Sequence, residues 1–184
     1  SYPNELAIVD AGLREFHESP KTAWQPFPGG ADGEYVSTRT YPLFNRRPIV
    51  HAFPAAGWEP LFGKEDDRPL ALGHFSDSMI PLHGYRTAID LRDTSMLWDV
   101  ESKLDKASAV YCGPGLWFNR ETERIHVRLA HTKLAGLGDR HYRGETDPRK
   151  LALCVSGQYG RDALRINGVN NLVIQDLVLR GASG

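Results

Sequence analysis

The chain has 184 residues, enough to bury one solid core, and a single domain is the default expectation. Its 22 Lys and Arg nearly balance its 23 Asp and Glu, leaving a formal charge of −1 and no basic excess of the kind that attracts nucleic acid. With 41% hydrophobic and 24% charged residues it has a globular rather than a disordered composition, and no stretch approaches the ~20 apolar residues of a membrane span.

The first part, to about Phe62, is rich in Pro, Gly and aromatic residues and poor in periodicity. Leu6, Val9, Leu13 and Phe16 fall at helical spacing, with Asn4 as a candidate N-cap and Pro20 beyond the end, which predicts one short helix. Pro26, Pro28, Gly29, Gly30 and Gly33 then break the chain into loops, and Arg47 to His51 is a candidate strand. From Pro69 the pattern turns strand-like. Tyr85 to Asp93 alternates, with Ala88, Asp90 and Arg92 on one face and Ile89 and Leu91 on the other. Residues 1–109 are therefore read as a loop-rich N-terminal region that packs on or caps the C-terminal part of the chain.

Ala107 to Cys112 predicts a further strand, stopped by Gly113-Pro114-Gly115. Leu116 to Phe118 and Arg124 to Leu129 flank the polar turn Asn119-Arg120-Glu121-Thr122-Glu123, which together spell a β-hairpin. Within it Ile125, Val127 and Leu129 alternate with His126 and Arg128, which are expected to point outward. A polar loop runs from His131 to Asp147, longer than a connection needs, and Pro148 precedes re-entry into a strand at Leu151. Cys112 and Cys154 lack the spacing of a zinc site. Cys154 lies in an apolar run where a free Cys behaves as a small hydrophobe, so two buried thiols are preferred, with a disulfide left open.

Residues 110–184 read as one unit comprising the hairpin, the long loop and the first coils of a solenoid. Leu164 and Ile166, Leu172 and Ile174, and Leu177 and Leu179 are three spaced apolar pairs, separated by corners at Asn167-Gly168, Gln175-Asp176 and Gly181. Corners this short leave no room for a meander, so each strand must pair with an equivalent strand in the next coil. The run Asn167-Gly168-Val169-Asn170-Asn171-Leu172-Val173-Ile174-Gln175-Asp176-Leu177-Val178-Leu179-Arg180-Gly181 resembles a rung of the pectate-lyase-like right-handed parallel β-helix proteins. Gly115-Leu116-Trp117-Phe118 with Arg124-Ile125-His126-Val127 resembles a hairpin that precedes the helix in some bacterial carbohydrate-active members.

The resemblance implies a mainly β fold: the start of a right-handed parallel β-helix, preceded by a loop-rich region with a β-hairpin. A β-sandwich whose last strands mimic rungs is the weaker alternative. By the same resemblance the chain is the N-terminal part of a secreted or periplasmic protein that acts on or binds polysaccharide, as a lyase or glycoside hydrolase. A non-catalytic glycan-binding or structural module is the alternative. An open last coil would leave an apolar stripe, which a longer chain or self-association would cover.

No cofactor is evident in the residues themselves, and no metal site is assigned. Calcium is an expectation for the full-length protein only, since a lyase must neutralise a uronate carboxylate. Catalytic residues are not identifiable. Asn170, Asn171 and Asp176 read as structural corner residues. The best candidates for substrate contact are His131, His141, Tyr142 and Arg143 in the long loop, which offer bases, an aromatic platform and charge, together with Arg180 on the outer surface of a rung.

Overall fold

A computed structural model describes residues 6–45, 71–78, 80–93, 111–131, 142–157 and 162–182. The fold is mainly β. The strands are β1 (Ala7–Asp10), β2 (Trp24–Pro26), β3 (Glu34–Ser37), β4 (Ala71–Phe75), β5 (Pro81–Tyr85), β6 (Gly115–Asn119), β7 (Arg124–Arg128), β8 (Leu153–Gly157) and β9 (Leu177–Arg180). Among the described residues three short helices accompany them: α1 (Glu15–Glu18), α2 (Pro20–Ala23) and α3 (Ala88–Arg92).

Seven strands form one sheet in the order β2-β3-β7-β6-β5-β4-β8, drawing on residues from both sides of position 110. Its pairs are antiparallel except β5–β6, where a crossover that includes α3 lets the two strands run the same way. The expected hairpin is present as β6–β7, with Trp117 opposite His126 and Leu116 opposite Val127. The other sheet has two strands, β1 and β9, in parallel register from Ala7↔Leu177 to Asp10↔Arg180.

The main core lies on one face of the seven-stranded sheet. Leu116 and Phe118 of β6, Ile125 and Val127 of β7, and Leu153 and Val155 of β8 meet Phe16 from α1 and Trp24 at the end of α2. Phe16 stacks on Trp24 at 4.3 Å between ring centroids. Burying such aromatic pairs supplies both area and orientation. A smaller cluster of Tyr85, Leu91 and Tyr111 sits on the opposite face, with Trp117 and Ala130 packed against it.

Several sequence expectations are corrected. The helix expected over Leu6 to Phe16 is strand β1 followed by α1. Leu6, Ile8 and Val9 are exposed, and β9 supplies the ladder bonds that make β-branched Ile8 and Val9 extended. The strand expected over Tyr85 to Asp93 ends at Tyr85 and becomes α3. Thr87 caps that helix, its Oγ1 accepting from the Asp90 N–H at 3.2 Å and donating to the Asp90 carboxylate at 2.7 Å. Re-entry after the long loop begins at Leu153, because Pro148–Lys150 makes a 3-10 turn first.

The seven-stranded sheet is mixed rather than a stack of parallel rungs. Of the predicted rung strands, Leu177 to Leu179 is a strand and pairs in parallel upstream, whereas Leu172 to Ile174 belongs to no strand. Ile174, one of the spaced apolar positions, is 46% exposed, since nothing among the described residues stacks on it. Cys112 and Cys154 are not joined in a disulfide; Cys154 is buried and Cys112 partly exposed. The candidate strand Arg47 to His51 and the start of the one at Ala107 lie outside the described residues.

Candidate functional site

The outward face predicted for His126 and Arg128 is sealed: both side chains are buried. The reason lies in α3 and the loop between β2 and β3, which close over that face. Glu34, paired opposite Arg128 across β3–β7, is the centre of the arrangement. Its carboxylate accepts from His126 Nδ1 at 2.7 Å, from Arg92 Nε at 2.8 Å and Nη2 at 2.9 Å, and from the Ala31 N–H at 2.8 Å. Burial alone would push this carboxyl up, but the bonds from His126, Arg92 and Ala31 outweigh it and hold the group at about 2. Arg128 is satisfied by main-chain carbonyls, Nη1 donating to Leu91 and Asp93 at 2.9 Å each, with its guanidinium 4.4 Å over the Tyr111 ring. Burial raises the Tyr111 and Tyr85 hydroxyls, so both are donors. Tyr85 Oη donates to the Gly113 carbonyl at 2.7 Å and accepts from the Cys112 N–H.

Trp117 forms the boundary of this buried cluster. His126 lies 4.8 Å from its ring and Arg92 5.7 Å, while Phe27 flanks the other side of both, 4.8 Å from His126 and 5.4 Å from Arg92. The carboxylate of Glu34 thus fixes the two side chains that back the indole.

Beyond Trp117 opens a groove of about 440 Å³, between the turn leading into α3 and the far end of the hairpin. Such a volume lies within the range of about 300–1,000 Å³ found for small-ligand sites. Trp117, Ile89, Arg86 and Asn119 line it, with Arg120 and Glu121 at the hairpin turn. Arg86 is exposed and makes no ion pair or hydrogen bond with a described residue. Asn119 Oδ1 accepts from the N–H groups of Glu121 at 3.0 Å and Thr122 at 3.3 Å. That turn orients the Asn119 amide and leaves its NH2 as a donor.

The residues proposed from sequence are distributed differently. His131 and Tyr142 come together: His131 Nε2 donates to the Gly144 carbonyl at 2.8 Å, and the two rings meet edge-on at 6.1 Å. Tyr142, however, stacks on Phe75 at 4.9 Å and donates to the Glu145 carbonyl, so its ring belongs partly to the core. Arg143 is exposed beside it, and His141 lies outside the described residues.

Arg180 does not present its charge outward as expected. Its side chain is only 9% exposed because Nε pairs with Asp10 Oδ2 at 2.7 Å. Nη1 donates to the Ser76 carbonyl at 3.3 Å, and Nη2 lies 3.3 Å from His17 Nε2. Asp10 Oδ1 accepts from the Gly12 N–H at 2.8 Å and from Cys154 Sγ at 3.4 Å. Burial first, and Asp10 second, push the Cys154 thiol up to about 12, which makes it inert. This node ties the β1–β9 pair to the main sheet. Arg180→Met should therefore cost about 1.5–3 kcal/mol through lost charge-assisted bonds, and hydrogen exchange should show β1 and β9 amides opening faster than those of β6–β7. Equal protection in both proteins would mean that the node does not anchor the pair.

In the sequence Trp117 is one of four Trp; Asn119, two residues on, shares its face of the strand, but nothing local connects either to Arg86. Thr87-Ala88-Ile89-Asp90, a Thr followed three residues later by an acid, is the one local signal for the turn that brings Arg86 to the groove. Among the described residues no group of three or more His, Cys, Asp or Glu could hold a metal ion, and no helix is long and apolar enough to cross a membrane. Compared with protein-family models, with curated proteins and with solved structures, the chain matches none of them.

Proposed function

We propose that this chain is the module that opens a parallel β-helix in a secreted or periplasmic carbohydrate-active protein, where it holds polysaccharide. The observation that carries the reading is the course of residues 162–182. The chain there bends at Gly168, Asn171, Asp176 and Gly181, which have positive φ of 63°, 59°, 56° and 69°. Asn and Asp are the non-glycine residues that tolerate this region best. Leu164 and Ile166 before the first bend, and Leu172 and Ile174 between two of them, stay exposed, and the last piece pairs in parallel with β1. Short pieces with uncovered apolar side chains gain stability when a further coil stacks on them, which is the logic of a solenoid.

Within the described residues the arrangement favours holding a glycan over cleaving one. Glu34 and His126 are the pair best suited to acid–base work, and both are sealed beneath Phe27, Arg92 and Trp117. A general base must reach the proton it removes. The non-catalytic reading is thereby preferred to the lyase or glycoside hydrolase class.

Affinity electrophoresis through gels cast with acidic or neutral polysaccharides tests the proposal. Retarded mobility in a polysaccharide gel, without release of unsaturated or reducing ends from that polymer, is the expected result. Release of such ends would overturn the non-catalytic reading in favour of an enzyme. Unchanged mobility in every gel would overturn the polysaccharide reading altogether.

A further inference from the structure

We propose that the groove beside Trp117 is the saccharide subsite, and that it takes a pyranose ring bearing an anionic substituent. The inference rests on the polysaccharide reading and adds to it a location and a ligand chemistry.

Three features converge there. Trp117 is an aromatic wall that cannot drift, because His126 and Arg92 back its ring and Glu34 pins both of them. A sugar ring has apolar C–H faces, and stacking on a wall already held in place costs little ordering on binding. Ile89, 70% exposed, extends the apolar floor on the α3 side. Around this floor stand donors without protein partners among the described residues: the Arg86 guanidinium and the NH2 of Asn119, whose carbonyl oxygen is already occupied by the hairpin turn. Hydroxyl groups around a sugar ring match such rim donors. A guanidinium matches a carboxylate or sulfate bidentately, which is the reason for assigning the charged substituent to Arg86.

The long loop offers less. Tyr142 spends its ring on Phe75, and His131 Nε2 already donates to Gly144. The two surfaces are therefore distinguishable by mutation.

Isothermal titration of wild type with a uronic-acid oligosaccharide and with a neutral oligosaccharide of equal length decides the matter, alongside Arg86→Ala and Trp117→Leu. The expected result is tighter binding of the uronic oligomer by wild type. Arg86→Ala should weaken it about tenfold, the loss of one charge-assisted bond, with an unchanged melting temperature because Arg86 is exposed. Trp117→Leu should weaken both oligomers. Since that variant also touches the buried cluster, Asn119→Asp serves as a second probe: it keeps the turn-forming oxygen, removes the NH2 and should weaken the uronic oligomer selectively.

Wild-type affinity retained in Arg86→Ala, Trp117→Leu and Asn119→Asp would move the glycan elsewhere. This subsite would then be overturned while the polysaccharide reading stands. Equal binding of neutral and uronic oligomers would overturn the anionic assignment. No binding of either oligomer by wild type, together with unretarded electrophoresis, would remove the polysaccharide reading and this subsite with it.

Discussion

Replacing Glu34 by alanine should lower the unfolding free energy by about 3–5 kcal/mol, because it leaves His126 and Arg92 facing a buried site without their carboxylate. For a chain of this length that corresponds to a fall in melting temperature of roughly 6–20 °C. The same substitution should change the acid limb of stability. The Glu34 carboxyl has an ordinary value of 4.5 and is held at about 2 in the fold. A depressed folded value means that the contribution is fully present above pH 4.5 and is lost as pH falls through about 2. The difference amounts to about 3 kcal/mol. Urea titrations at a series of pH values should therefore show wild type losing stability through this window, and Glu34→Ala showing a shallower slope. Parallel slopes would mean that Glu34 is not the group whose protonation weakens the fold. Glu34→Gln keeps the shape and one acceptor but turns an NH2 toward donors, so it should fall between the two.

Gly115→Ala should be comparably damaging for a steric rather than an electrostatic reason. A Cβ at this position would stand 2.3 Å from the His83 carbonyl oxygen and 2.4 Å from Tyr85 Cε2. The carbonyl belongs to the facing strand of the parallel β5–β6 pair, so it cannot swing aside as a flexible side chain would. Tyr85 is held as well, by its bond to Gly113 and by stacking on Tyr111 at 5.7 Å. Overpacking of this kind costs about 3 kcal/mol when backbone must move. The damage should concentrate at the β5–β6 junction, with faster amide exchange there than at the far edge pair β2–β3. A melting temperature equal to that of wild type would show that the strands separate without penalty.

The hairpin is the most legible part of the chain because its determinants are local. The turn at Asn119 to Glu123 and the two-residue alternation on either side need no distant partner to be read, and β6 and β7 form where that pattern puts them. The alternation of Tyr85 to Asp93 misleads for the same local reason: it competes with the cap at Thr87, and the cap prevails once Leu91 has Tyr85 and Tyr111 to pack against. The groove is legible only in part, since Trp117 and Asn119 share a face of β6 but Arg86 is brought to them by β5–β6 pairing rather than by nearness in the chain.

Sequence by itself determined that residues 164–179 carry spaced apolar pairs with polar corners, and that β7 has one apolar and one polar face. Only the tertiary structure decided what those faces meet. Whether His126 and Arg128 contact water depended on α3 and the loop between β2 and β3, which arrive from elsewhere in the chain to cover them. Whether Ala7 to Asp10 became helix or strand depended on β9, at the other end of the chain, offering it a parallel edge and clamping it through Arg180 to Asp10. Periodicity reports that two faces differ, but burial and ladder pairing are properties of whatever surface arrives opposite. That surface is set by chain closure over long separations, which no local pattern encodes.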